Sequence, residues 1–341
     1  MGSKISDILE SKEINVEDLQ GKTLAVDAFN TLYMFLTTIR GPDGSPLMDS
    51  KQRITSHLTG MFTRFSNYME KGMNFIFVFD GKAPELKSEE TKRRKKLKEE
   101  ARQLYEEARQ KEDTENMKKY AARTTFLTKE MIEEAKELAS AMGFPVIQAI
   151  SEGEAQAAHL VKNGEAYAVV SQDADALLNG SPRVIKNLSI TGRRKKPRSY
   201  DYQTIYPELI TLDDNLKSLN LTREKLLALA ILVGTDYNYG GIKGIGPKKA
   251  LKLLQENTVE KAFEKAKWNE KSDIEWKKIY NTIEEMPVHD DYSLEFKKPD
   301  YKKIKEILMD KDFNEERINK TLEKLQNAEK QRAQKGLGDF F

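Results

Sequence analysis

Asp27, Asp80, Glu152, Glu154, Asp173 and Asp175 all follow short apolar runs, at residues 23–26, 75–79, 144–147 and 167–170. Two acid-x-acid pairs stand out, in SEGEA and in QDADA. A seventh acid, Asp236, follows an apolar helical stretch in LVGTDYN. Crowded carboxylates raise one another's pKa unless a cation sits among them. Two Mg²⁺ ions, with Mn²⁺ as a substitute, would neutralise such a cluster. They would hold a phosphate, activate a water and stabilise the leaving oxygen. The chemistry expected is phosphodiester hydrolysis. Any one acid after a strand could instead be a helix cap, and Glu152 and Asp173 suit that role. Two spaced pairs plus two strand-end aspartates in order are more than capping explains.

The cations that such chemistry needs are local. Residues 92–98 (KRRKKLK) hold six basic side chains in seven positions. A solvated helix accounts for them in isolation, since Glu89, Glu90, Glu99 and Glu100 flank them. Beside a carboxylate cluster they offer the grip on a phosphate backbone that metals alone do not provide. Residues 240–250 (GGIKGIGPKKA) read as a glycine-rich turn opening a helix at Pro247. Gly241, Gly244 and Gly246 would let a phosphate approach backbone N–H groups, with Lys243, Lys248 and Lys249 adding charge. The basic run 193–198 reads as a solvated loop. His57 and His159 read as packing or hydrogen-bonding residues.

The elements that must position these groups follow from the pattern. Four apolar runs alternating with helical stretches (54–71, 129–142, 154–162) imply an α/β fold, a mostly parallel central sheet covered on both faces. Ligands of such sheets bind at the carboxyl ends of the strands, where the acids lie. Residues 81–128 are polar, charged and helix-prone, too long for a plain connection, and read as a projecting helical insertion. Residues 184–190 look hairpin-like. Helices are expected at 223–233, 247–255, 302–308 and 315–329, and a polar tail from 331. The organisation expected is one core over 1–325 and a flexible tail over 326–341. That tail ends in Phe340 and Phe341, which with Gln334 and Leu337 would suit one helical turn plugging a partner's pocket.

Composition narrows the classes. The chain has 341 residues, no cysteine and three histidines. Disulfides, thiolate catalysis and Cys-ligated metals are excluded, and any metal is expected to have oxygen ligands. The net charge is +2, so overall charge does not point to nucleic acid. No apolar run approaches a membrane span and the first residues lack a signal-peptide core. A soluble, intracellular protein is expected.

These residues together resemble the flap endonuclease 1 family. The matching segments are VDAFNTLYMFL, SPLMDSKQRITSHLTGMF, VFDGKAPELKSEE, ISEGEAQAAHL, SQDADALL and LVGTDYNYGGIKGIGPKKA. The resemblance spans essentially the whole chain. It implies a PIN-like nuclease core that cuts 5′-flapped DNA, with 5′–3′ exonuclease activity, in Okazaki-fragment maturation and repair. It implies that the seven acids are ligands of two metals, directly or through water. Lys87 and Arg94 match catalytic cations at the base of the helical arch (81–128). Tyr33 matches an aromatic that stacks near the cut bond, and Gly2 a residue near the active site. Residues 224–257 match a helix–two-turn–helix region binding duplex DNA, with a K⁺ ion, and 46–62 match the part receiving a 3′ flap. Gln334, Leu337, Phe340 and Phe341 match the box that binds the sliding clamp, PCNA. Ala174 and Asn179 depart from the family pattern, which predicts local repacking. The chain stops at the clamp box, as archaeal members do, and the resemblance further implies a cytoplasmic, nucleoid-associated monomer. The alternatives are a non-catalytic clamp-binding scaffold, a processive 5′ exonuclease, or a repair nuclease that cuts bubbles.

Overall fold

The computed structural model describes residues 4–41, 44–111, 113–190, 192–195 and 202–338. Its strands are β1 (Lys12–Glu13), β2 (Thr23–Asp27), β3 (Asn74–Phe79), β4 (Val146–Gln148), β5 (Ala168–Val170), β6 (Arg183–Lys186), β7 (Gly192–Lys195), β8 (Tyr202–Ile205) and β9 (Glu208–Thr211). Seven form one sheet in the order β1-β9-β6-β5-β2-β3-β4. Pairing is parallel from β4 through β6, and β9 and β1 close one edge antiparallel. From β2 the chain steps to β3 and β4 on one side, then returns to β5 and β6 on the other. The order therefore reverses between β2 and β5, the place where open sheets of this kind bind ligands.

Both faces of the parallel strands are buried because side chains alternate across the sheet. Phe75, Phe77 and Phe79 of β3 point into one core, with Leu24 and Val26 of β2 and Ala168 and Val170 of β5. Ile76, Val78, Ala25 and Val169 point into the other. The first core is aromatic: the Phe65 ring centroid lies 4.8 Å from those of both Phe75 and Phe77, in edge-to-face contact. Truncating Phe65 to Ala would cost about 3–5 kcal/mol, the range for a buried aromatic.

The insertion forms two helices, Ser88–Gln110 and Thr114–Ala121. On the first, only Glu90, Ala101 and Ala108 are buried. Arg40 holds the returning segment through the Thr125 hydroxyl, and donates to the Gly44 carbonyl at 2.8 Å. The second half is helical, including Arg223–Val233, Pro247–Glu256, Tyr301–Met309 and Glu315–Gly338. No described helix is long and apolar enough to cross a membrane.

Four expectations are corrected. The segment 184–190 is not a hairpin; it is β6, inserted between β5 and β9, and a 3-10 turn at Leu188–Ile190. Residues 193–195 of the expected basic loop pair as β7 with β8, while 196–198 lie outside the described residues. The third strand begins at Val146, two residues later than expected. The last helix runs on to Gly338 instead of yielding to a tail at 331. Gln334 and Leu337 thus fall within its backbone span. Their side chains, and the whole of Phe340, Phe341 and Gly2, lie outside the described residues.

Candidate active site

Asp27 ends β2 and caps the helix Ala28–Thr38, accepting the Asn30 N–H at 3.0 Å. The Ser171 hydroxyl, just past β5, donates to its other oxygen at 3.2 Å. Asn30 bridges the same gap. Its side-chain amide donates to Asp173 at 3.0 Å, and its carbonyl accepts the Gln172 N–H at 2.9 Å. The ends of β2 and β5 are thereby held together at the point where strand order reverses.

Asp80 follows β3 and accepts the Gly153 N–H at 2.7 Å. Gly153 opens the helix Gly153–Lys162, with Glu152 at its cap position and Glu154 in its first turn. A Cβ at 153 would lie 2.6 Å from the Asp80 oxygen, so the carboxylate can approach this helix start only because the residue is glycine. The capping role weighed for Glu152 is not realised, because its side chain makes no cap hydrogen bond. It pairs with Lys87 instead.

Crowding and burial perturb the titration of these acids. Burial pushes the Asp27 carboxyl up to about 7, with Asp80 and Asp173 adding repulsion. Burial pushes Asp80 up to about 6, with Glu152 adding. Glu154 rises well above its ordinary value through burial and the nearby Asp175, Glu152 and Asp27. The Tyr237 phenol, buried beside four of these acids, is driven up by burial and by their charge, and stays protonated. Asp236, one residue before it, joins the site through two cations. Arg94 Nη2 donates to it at 2.5 Å, and Lys87 Nζ lies 3.4 Å away. Burial alone would lower the Lys87 pKa, but Glu152, Asp236 and Glu154 hold it above its usual value.

The site thus collects all seven acids with Lys87 and Arg94 at its rim. Tyr33, on the helix that Asp27 caps, faces the arch: Lys98 Nζ lies 5.0 Å from its ring centroid and 3.3 Å from its hydroxyl. Among the described residues no three acids are placed close enough together to hold a metal ion as they stand; Lys87 is paired with Glu152 and Arg94 with Asp236. The donor set nonetheless fits hard divalent cations. Every candidate donor is oxygen, and Asp27, Asp80 and Glu154 remain raised by burial and mutual repulsion despite the two side-chain cations nearby.

Beyond the site, Lys243, Lys248 and Lys249 are exposed around the start of Pro247–Glu256, while Ile242 and Ile245 are buried beneath them. Gly241 has φ +57, and a Cβ there would sit 2.3 Å from the Val233 backbone. The turn can therefore fold back on the preceding helix only with glycine. The segment 46–62 is pinned by Arg53, which donates to Asp49 at 2.5 Å and Asp310 at 2.7 Å. Ala174 is fully buried in the core, and Asn179 donates to the Asp175 carbonyl at 3.3 Å.

Sequence reasoning missed Asn30, Gly153, Ser171, Tyr237 and Glu90 as parts of this site. The first had a signal: an Asn three residues after a strand-end Asp lies within reach of that cap. Gly153 had one too, as the small residue between two acids.

The XPG N-terminal domain matches residues 3–101 and the XPG I-region matches residues 143–236. Flap endonuclease 1 of Pyrococcus abyssi is 49% identical over 345 residues, covering 100% of this chain and 98% of that protein. The structure of flap endonuclease-1 from Methanococcus jannaschii is similar at a TM-score of 0.75 and 39% identity, covering 96% of this chain and 98% of that one. The catalytic core of Rad2 in complex with a DNA substrate is similar at a TM-score of 0.69 and 25% identity, covering 95% and 100%. The chain belongs to the flap endonuclease 1 family of metal-dependent nucleases.

Proposed function

We propose that this chain cuts 5′-flapped DNA as a Mg²⁺-dependent, structure-specific endonuclease with 5′–3′ exonuclease activity, acting as a monomer in Okazaki-fragment maturation and repair. The observation that carries the reading is the convergence of seven carboxylates on the strand-order reversal, with Lys87 and Arg94 of the arch base reaching into them. Asp27, Asp80, Glu152, Glu154, Asp173, Asp175 and Asp236 would hold two Mg²⁺ ions, directly or through water. Such ions, when bound, activate a water and stabilise charge on the phosphate and leaving oxygen.

The chain's own residues supply the rest. Lys87 and Arg94 place two cations where negative charge develops on a scissile phosphate. Tyr33 offers a ring on which the nucleotide beside that phosphate can stack. Lys243, Lys248 and Lys249, with the Gly241–Gly246 turn and a K⁺ ion, would hold the duplex by its backbone without reading sequence. The segment 46–62 would receive a one-nucleotide 3′ flap. Gln334, Leu337, Phe340 and Phe341 would dock on the sliding clamp, PCNA.

Cleavage-site mapping on a double-flap DNA tests the reading. With Mg²⁺ the protein should cut one nucleotide into the downstream duplex, and Asp173→Ala should abolish cutting while leaving DNA binding. No cleavage would leave a clamp-binding scaffold. Cleavage indifferent to a bulky block on the 5′ end would instead point to a bubble-cutting nuclease.

A further inference from the structure

Glu90 lies on the outward-projecting arch helix, yet it is only 5% exposed. A carboxylate withdrawn from water needs charged partners, and Glu90 has two. It accepts from Arg93 Nε at 2.6 Å, from Arg93 Nη2 at 2.8 Å and from Arg94 Nε at 2.7 Å. Helical spacing makes this possible, because residues three and four positions on lie beside it on the same side of the helix. Glu90 is also in the first turn of Ser88–Gln110, where the helix dipole favours a negative charge.

Both arginines then reach the same loop. Arg94 Nη2 donates to Asp236. Arg93 lays its guanidinium over the Tyr239 ring, 3.6 Å from the centroid. We propose that Glu90 is a positioning residue for DNA cleavage: it fixes the plane of the Arg94 guanidinium at the carboxylate cluster, with the Arg93–Tyr239 stack as its brace.

The argument is one of orientation, and it rests on the flap-cleavage reading. Arginine presents its donors in a rigid plane, so its value to a phosphate depends on how that plane is set. The bond to Asp236 is made at Nη2 and the bond to Glu90 at Nε, so the two acids grip the plane at different corners and Glu90 limits its rotation. Without Glu90 the arginine would follow whichever acid in the cluster attracts it most, and its alignment with the scissile phosphate would be lost.

One oxygen of Glu90 accepts from both arginines, so Glu90→Gln keeps the side chain's shape and that acceptor, but it removes the negative charge and turns an N–H₂ toward the Arg93 Nε donor, which weakens the hold on both guanidinium groups. Single-turnover cutting of a flap DNA should slow by roughly 10- to 100-fold, the scale set by about an ångström of misplacement, with flap affinity changed by no more than about twofold. In an Arg94→Ala background the same change should cost nothing further, since Glu90 acts through Arg94. A readout independent of cutting is the ¹⁵N-arginine Nε–Hε signal of Arg94, assigned by its loss in Arg94→Ala. In Glu90→Gln without DNA, that proton should exchange with water faster. Wild-type cutting by Glu90→Gln, an equal loss in the Arg94→Ala background, or unchanged Hε exchange would each overturn the proposal. If the unaltered protein cuts no flap, the flap reading fails, and the exchange measurement still judges whether Glu90 holds Arg94.

Discussion

The Gly153 N–H donates to the Asp80 carboxylate at 2.7 Å, and a Cβ on Gly153 would sit 2.6 Å from the same oxygen. One backbone atom thus orients an acid at the end of β3 from the start of a helix on another segment. Gly153→Ala should break this contact without unfolding the chain. The backbone at 153 is not left-handed, and alanine is the better helix former. The variant should lose roughly 10- to 100-fold in activity or metal affinity, as expected for a lost partner that orients a ligand. Wild-type metal titration and cutting by this variant would show that Asp80 does not need the contact.

The three exposed lysines at the start of Pro247–Glu256 make a different prediction. Phosphate contacts release counterions, so each one lost flattens the salt dependence of binding by about 0.9 in log–log slope. Lys243→Ala, Lys248→Ala and Lys249→Ala combined should lower the slope for duplex binding by roughly 2 to 3. They should leave cutting at saturating DNA little changed, because none lies in the acid cluster. Binding measured across a salt series decides it, and an unchanged slope would remove these lysines from the duplex interface.

Removal of residues 334–341 should leave clamp-free flap cutting intact and abolish stimulation by the clamp. The last helix docks through Ile318, Leu322 and Leu325, and Arg332 donates to the Met69 carbonyl at 2.6 Å. All of these precede the cut. Clamp binding undiminished by the truncation would refute the assignment of Gln334, Leu337, Phe340 and Phe341.

What was legible in the sequence follows from what each element depends on. β2, β3 and β5 are buried on both faces, so they read as continuous apolar runs. Their terminal acids were visible for the same reason. β1 is Lys12–Glu13, fully polar and exposed, and β7 is a glycine followed by three cations. Neither carries a signal of its own, and only pairing with a neighbour makes them strands. The arch was legible as an interruption of the apolar pattern. Glu90 was not, because on a chain 33% charged an acid among arginines looks the same whether it is solvated or buried. Asn30 falls within the VDAFNTLYMFL segment, but its role depends on β5 lying beside β2, a tertiary fact.

The raised carboxyls have a thermodynamic consequence that metal should reverse. Asp27 and Asp80 ordinarily titrate near 3.8, and in the fold burial and mutual repulsion push them up to about 7 and about 6. Between these limits the folded chain binds more protons than the unfolded chain, so stability falls as pH rises. Whatever these two groups contribute is present below about 4 and lost once pH passes about 7. A divalent cation among them favours the charged forms and removes that penalty. In EDTA the Tm should therefore decline between pH 5 and pH 8 more steeply than in Mg²⁺. Metal binding near pH 6 should release protons. In Asp27→Asn the difference between the two media should shrink. Thermal melts at matched ionic strength decide it: parallel pH profiles with and without metal would mean that these acids do not share a cation.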